Sequence, residues 1–253
     1  MDFSQIIMWS GFILAAYSVV GNDVIQTLGT FLSSNEHRKW YVLWAFAATV
    51  LCITLIYSWV EYGGEVSYQR LIGDPPKYSL ENPKYPLPDP YQWYFILPPL
   101  VLMLITRMGI PVSTSFLILT FFKPKGLDSM LVKSVWGYIV AFSVAILVYF
   151  MVSKALEKRF VDHPIKAREK QIWTVLQWCS TGFLWTMWLI QDFANIYVYL
   201  PRQLDVFELF ISMFILVAML GYIFYVRGGA IQGIVKAKSN TQDIRSATII
   251  DFI

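Results

Sequence analysis

Three stretches of this chain, 41–60, 134–153 and 209–226, contain no charged residue at all. A helix needs about 20 apolar residues to cross the hydrocarbon core of a bilayer. In lipid, every backbone polar group must be satisfied within the segment, so such runs are restricted to helices. The rest of the composition agrees: 57% of residues are hydrophobic, 15% are charged and the mean hydropathy is +0.52. Ordinary soluble domains carry about a quarter charged residues. These values exclude a soluble enzyme domain, a disordered chain and a disulfide scaffold, and they identify an integral membrane protein. The net charge of +3 is too small to suggest nucleic acid. Cys52 and Cys179 lie in apolar runs without a CxxC pattern and read as small buried hydrophobes. The N-terminus, MDFSQIIMWSG, has no basic region and no cleavage site after its apolar run, so it reads as a first membrane segment and not as a signal peptide.

Two further runs are too long for one simple span. That from Gln5 continues through Gly21-Asn22-Asp23 to about Ser33, and that from Ile172 continues through Gln191-Asp192 to about Leu200. Each carries a carboxylate near mid-depth and is expected to be a broken helix. The runs 93–106 and 111–122 are each too short to span, and Arg107-Met108-Gly109-Ile110-Pro111 separates them. Proline restricts the residue before it to extended backbone. The pair is therefore one kinked span or a re-entrant hairpin. Charge decides. With a hairpin and the N-terminus outside, Arg38, Lys39, the basic stretch 154–170 and the cations after 226 all become cytoplasmic, as the positive-inside tendency requires. A single crossing would set the basic stretch opposite Arg38 and Lys39. The outer face then holds the Pro-rich loop 61–92, read as an ordered lid or an oligomer contact.

The hairpin makes the number of crossings before Ile172 odd. Asn22-Asp23-Val24-Ile25-Gln26 and Gln191-Asp192-Phe193-Ala194-Asn195 share a carboxamide-Asp-x-x-carboxamide pattern, with 169 residues between the two aspartates. Copies on either side of an odd number of crossings have opposite orientation, the layout of secondary transporters. An intramembrane carboxylate costs a few kcal/mol and should face a cavity or a cation. Positions i and i+4 share a helix face, so Asn22 and Gln26 lie together, as do Gln191 and Asn195. Carboxyl and carboxamide oxygens suit a cation, and amide N–H groups suit an anion; the same groups could instead hold helices together. Ser113, Thr114 and Ser115 follow Pro111, where a helix is expected to begin. Their hydroxyls can donate to an oxyanion or cap that helix. Arg107 could balance an anion or snorkel to the interface.

GNDVIQTLGT, QDFAN and GIPVSTS together resemble the inorganic phosphate transporter (PiT) family, in order and over nearly the whole chain. The resemblance implies symport of phosphate, or of sulfate, driven by Na⁺ or H⁺, with a homodimer usual. It implies substrate binding at Asn22, Asp23, Ser113, Thr114, Ser115, Gln191, Asp192 and Asn195, and cation coupling at Asp23, Gln26, Asp192 and Asn195, with Na⁺ at Asp23 and Asp192. Val20 and Leu189 stand where the family has glycine, Ile25 replaces alanine, and Ser115-Phe116 replaces Thr-His. A second hairpin motif, 169 residues after Pro111, would fall beyond Ile253. The expectation is a divergent, truncated or partial member.

The expected fold is thus an all-α membrane protein: a first inverted repeat over 1–153, a basic linker over 154–171 and an incomplete second repeat over 172–253, with 228–245 a polar connection. The expected function is a symporter of inorganic phosphate. Sulfate or another oxyanion is the alternative substrate, and a non-transporting membrane subunit is the alternative class. His37 and His163 lie in loops, which argues against haem. There is no phosphate-binding GxxxxGK[ST] loop and no nucleophilic triad, so neither an enzyme nor an ATP-driven pump is expected. The compact loops suggest a prokaryotic inner membrane.

Overall fold

The computed structural model describes residues 2–108, 110, 112–148, 150, 160, 165–226, 244, 245, 248 and 249. Gly109, Pro111, His163, most of the linkers 154–171 and 228–245, and most of the expected hairpin start at 246–253 lie outside the described residues. The described residues form helices, turns and irregular loop, with no strand among them. The main elements are α1 (Phe3–Ser34), α2 (Trp40–Glu61), a 3-10 turn (Trp93–Ile96), α3 (Leu97–Arg107), α4 (Thr114–Phe122), α5 (Leu127–Val148), α6 (Ala167–Tyr197) and α7 (Val206–Tyr225). Among the described residues, four segments are long and apolar enough to cross a membrane: Phe3–Val24, Trp40–Glu61, Pro124–Leu147 and Val206–Tyr225.

Local chemistry fixes where the helices start. Asp2 accepts from the Gln5 backbone N–H at 2.8 Å, and Gln5 Oε1 accepts from the Asp2 N–H at 3.3 Å. Asp205 and Glu208 make the same reciprocal pair at the head of α7. At its far end α1 is held by Asn35, whose side chain donates to the Phe31 carbonyl and to Gln177 Oε1 of α6.

α1 is the central helix, packed against α3, α6 and α7, while α2 packs against α6 and α7. Phe12, Ala15, Ala16, Val19, Val24, Leu28 and Phe31 of α1 are fully buried. Small residues let backbones approach closely where lipid offers no hydrophobic drive between helices. Gly11 is such a point: a Cβ there would lie 2.4 Å from Tyr199 Cδ1. Phe12 meets Tyr197 and Phe31 meets Trp178, so the start of α1 lies beside the end of α6 and the two helices are antiparallel. Trp40 against Tyr225, with Trp59 Nε1 donating to the Leu204 carbonyl at 2.9 Å, sets α2 antiparallel to α7. Tyr94 and Phe95 rest on Phe121, and Phe95 also on Phe122, so α4 doubles back along α3. α5 is different: none of its span is buried, and Val132, Trp136, Val140 and Phe142 are exposed.

Several expectations need correction. α1 runs unbroken through Asn22-Asp23. Val20 occupies the glycine position of the resembling motif, and one internal Gly costs a helix only about 1 kcal/mol. α6 likewise runs unbroken through Gln191-Asp192, so the second motif lies within its last two turns, before the chain leaves the helix at Val198. α6 begins at Ala167, inside the expected linker. α4 begins at Thr114 and not at Pro111, because Ser113 is extended. Cys179 is exposed and not buried.

Candidate functional site

The two aspartate motifs and the hydroxyl triplet, widely separated in sequence, converge where α1, α6 and the head of α4 meet. Asp23 and Asp192 are each 3% exposed, Asn22 and Thr114 are 5%, and Asn195 is fully buried. The extended residues before Thr114 expose the Val112 carbonyl to Asn22 Nδ2, at 3.4 Å. Asn22 Nδ2 also donates to Asp23 Oδ1 at 2.9 Å. On the facing side, Thr114 Oγ1 donates to Asp192 Oδ1 at 3.1 Å. Asn195 Nδ2 donates to Asp192 Oδ1 at 2.5 Å and to Thr114 Oγ1 at 2.8 Å. Ser115 Oγ donates to Asn195 Oδ1 at 3.1 Å. The Ser113 side chain makes no cap bond.

The carboxyl groups of Asp23 and Asp192 lie within hydrogen-bonding reach of each other. Asp192 Oδ2 is buried and has no hydrogen-bond donor among the described residues. Two carboxylate oxygens are both acceptors, so a positive species between them, a proton or a cation, is what their geometry suits.

Beside this cluster is a cavity of about 720 Å³. Asn22, Asp23, Gln26, Ser113, Thr114 and Gln191 line its polar side. Ser134, Gly137, Tyr138 and Ala141 of α5 and Trp188 of α6 also line the cavity. The α5 residues escaped sequence reasoning, although small side chains at i, i+3 and i+7 of an apolar run were a readable signal. Gln26 and Gln191 face the cavity. Arg107 is elsewhere: it is exposed, lies 6.0 Å from the Tyr17 ring centre and does not line the cavity.

A second polar cluster ties loop 61–92 to the turn after α6. Arg202, 6% exposed, donates to the carbonyls of Leu200 at 2.7 Å, Tyr85 at 2.8 Å, Val198 at 3.1 Å and Tyr197 at 3.4 Å. Burial pulls its pKa down to about 10 despite the opposing Tyr91 and Glu65 charges. Buried Glu65 accepts from the backbone N–H groups of Ser67 and Gln69 and from the Ser67 hydroxyl, and burial pushes its carboxyl up. Tyr91 Oη donates to the Tyr199 carbonyl at 2.8 Å, and burial raises its phenol. Arg202 satisfies carbonyls at and just past the end of α6, and so fixes the turn that follows the second motif.

Fold and site define a class: among the described residues, an all-helical protein with four helices fit to cross a membrane and a buried carboxylate, carboxamide and hydroxyl cluster where α1, α4 and α6 meet. No family model, curated protein or solved structure matches the chain significantly.

Proposed function

We propose that the chain is a secondary transporter of inorganic phosphate, a divergent relative of the PiT family, coupled to Na⁺ or H⁺. One observation carries the reading. Two copies of one motif, with their carboxylates in mutual reach, meet the hydroxyls of a doubled-back segment at the edge of a polar cavity.

The proposed architecture is an inverted repeat with a re-entrant hairpin at α3–α4. Antiparallel α1 and α6 support it. So does the packing pattern, in which α1 contacts α7 and α2 contacts α6, an exchange that maps each copy onto the other. In this reading Asn22, Ser113, Thr114, Ser115, Gln191 and Asn195 offer donors to the anion. Asp23 and Asp192, with Gln26 and Asn195, hold the coupling cation or proton. Phosphate near neutral pH keeps a proton that an aspartate can accept as a hydrogen bond, whereas sulfate has none. That difference puts phosphate ahead of sulfate.

The test is uptake of labelled phosphate into proteoliposomes under inward Na⁺ and H⁺ gradients, with unlabelled sulfate as competitor. Gradient-dependent accumulation spared by sulfate is expected, and Asp23→Asn should abolish it while the chain stays folded. Normal uptake by that variant removes the proposed role of Asp23. No uptake by folded wild-type protein under either gradient would favour a non-transporting subunit, for which uncovered α5 is the natural contact.

A further inference from the structure

A second cavity, of about 340 Å³, opens at the loop end of the molecule. Arg70, Lys84 and Lys133 line it, against the single carboxylate of Asp74. These cations come from both sides of a turn in loop 61–92 and from α5, so the fold, and not a run of sequence, assembles them. The turn requires Gly73: its φ is +91°, and a Cβ there would lie 2.6 Å from Tyr78 Cδ2 and 3.0 Å from Lys84 Cβ. The Lys84 N–H donates to the Ile72 carbonyl at 2.7 Å and the Tyr85 N–H to the Leu71 carbonyl at 3.0 Å, which fixes Lys84 at the rim. A fourth cation borders the pocket. Lys123 Nζ, from the end of α4, donates to the Lys84 carbonyl at 2.9 Å and lies 4.9 Å from the Tyr78 ring centre.

Solvated surface lysines would spread apart. Here Lys84 is half-buried, and burial, then Lys133 and Arg70, with Lys123 adding, push its ammonium below the ordinary lysine value. Cations held together in excess of acids, in a concave and partly dry site, focus a positive potential that an anion relieves. Arginine and lysine around one concavity suit the tetrahedral, multiply charged oxygens of a phosphate group. The Tyr68 and Tyr85 rings and Leu119 add an apolar wall, so the pocket suits a bare phosphate or one carrying an organic substituent.

We propose that this pocket binds a phosphate group, presented either as free inorganic phosphate or as the head group of an anionic phospholipid. The site is separate from the Asp23–Asp192 cluster and stands whether or not the chain transports.

The test uses the full chain in phosphate-free detergent. Inorganic phosphate is titrated by calorimetry, and retention of phosphatidylglycerol against phosphatidylcholine is scored by native mass spectrometry. Lys84→Gln combined with Lys133→Gln removes two of the cations, and Arg70→Gln, at an exposed position, serves as a second variant should the pair fail to fold. Each is expected to weaken binding of phosphate, or selective retention of phosphatidylglycerol, by about tenfold or more, and added salt should weaken it likewise. Asp23→Asn should leave this site unchanged. Whichever probe is lost identifies the source. Wild-type affinity for both probes in the pocket variants, or a wild-type chain that binds neither, overturns the proposal. Phosphate binding lost in Asp23→Asn but kept in the pocket variants, with phosphatidylglycerol retention unchanged in them as well, overturns it too, while supporting the transport reading.

Discussion

Replacing Thr114 by valine removes one hydroxyl from the centre of the motif cluster and leaves side-chain size nearly unchanged. That hydroxyl donates to Asp192 Oδ1 at 3.1 Å and accepts from Asn195 Nδ2 at 2.8 Å. Asp192 would keep a single donor, Asn195 Nδ2, because its Oδ2 already has none. Neutral bonds between helices in membranes average about 0.6 kcal/mol. A bond to an ionised group in a buried site is worth about 1.5–3 kcal/mol. The carboxylate acceptor and the burial of all three partners favour the larger figure, so Thr114→Val is expected to destabilise by about 2 kcal/mol. Thr114→Ser, which keeps the hydroxyl, should recover most of this. The assay is denaturant unfolding in detergent, followed by tryptophan fluorescence, for wild type and both variants. A cost for valine no larger than about 0.6 kcal/mol, or a serine variant as unstable as valine, would refute the idea that a charged network joins α4 to α6.

The membrane helices were legible because long charge-free runs have few alternatives. The runs 41–60 and 209–226 became Trp40–Glu61 and Val206–Tyr225, with only small shifts at their ends. α5 starts seven residues before the run at 134, since Asp128 suits a first helical turn and a charge-free criterion excludes it and Lys133. The partners of the site were legible as a repeated pattern, because carboxylates in apolar runs need an explanation. Three things were not. The continuity of α1 depends on tertiary packing around Val19, Val20 and Val24, which outweighs the local weakness at Gly21. The role of Arg202 depends on carbonyls contributed by Tyr85, more than a hundred residues earlier. The α5 wall of the cavity left a trace in the spacing of Ser134, Gly137 and Ala141, but which helices that face meets is a long-range matter that the spacing does not encode.

Arg202→Met should destabilise by about 1.5–3 kcal/mol, and Arg202→Lys should recover little, since an ammonium cannot serve the carbonyls that a planar guanidinium spans; detergent melting temperatures check both. Glu65 binds its proton more tightly folded than unfolded. Its contribution to stability is therefore full below its ordinary value of 4.5 and is lost as pH rises through the raised folded value. Thermal midpoints measured across this range should fall with pH in the wild type and fall less in Glu65→Gln, which stays neutral; equal slopes would refute the assignment.

Whether the cluster is merely adhesive between helices can be decided from what the acids add. Carboxamides at positions 23 and 192 could take part in the same bonds with Asn22, Thr114 and Asn195, whose donors all reach Oδ1 atoms. Were both aspartates at mid-depth, as the proposed transporter has them, each would cost about 3 kcal/mol even on lenient insertion scales, and the two about 6. Three bonds at about 2 kcal/mol each only offset that. For adhesion alone the carboxylates bring no net gain over amides. What they bring is charge, together with a buried Oδ2 on Asp192 that lacks a donor while the Asp23 carboxyl lies in reach. Asp192→Asn should therefore leave the unfolding midpoint unchanged or raise it, while uptake falls. A variant that is clearly less stable than wild type, with uptake per folded molecule preserved, would make Asp192 a structural residue and remove it from the proposed ion site.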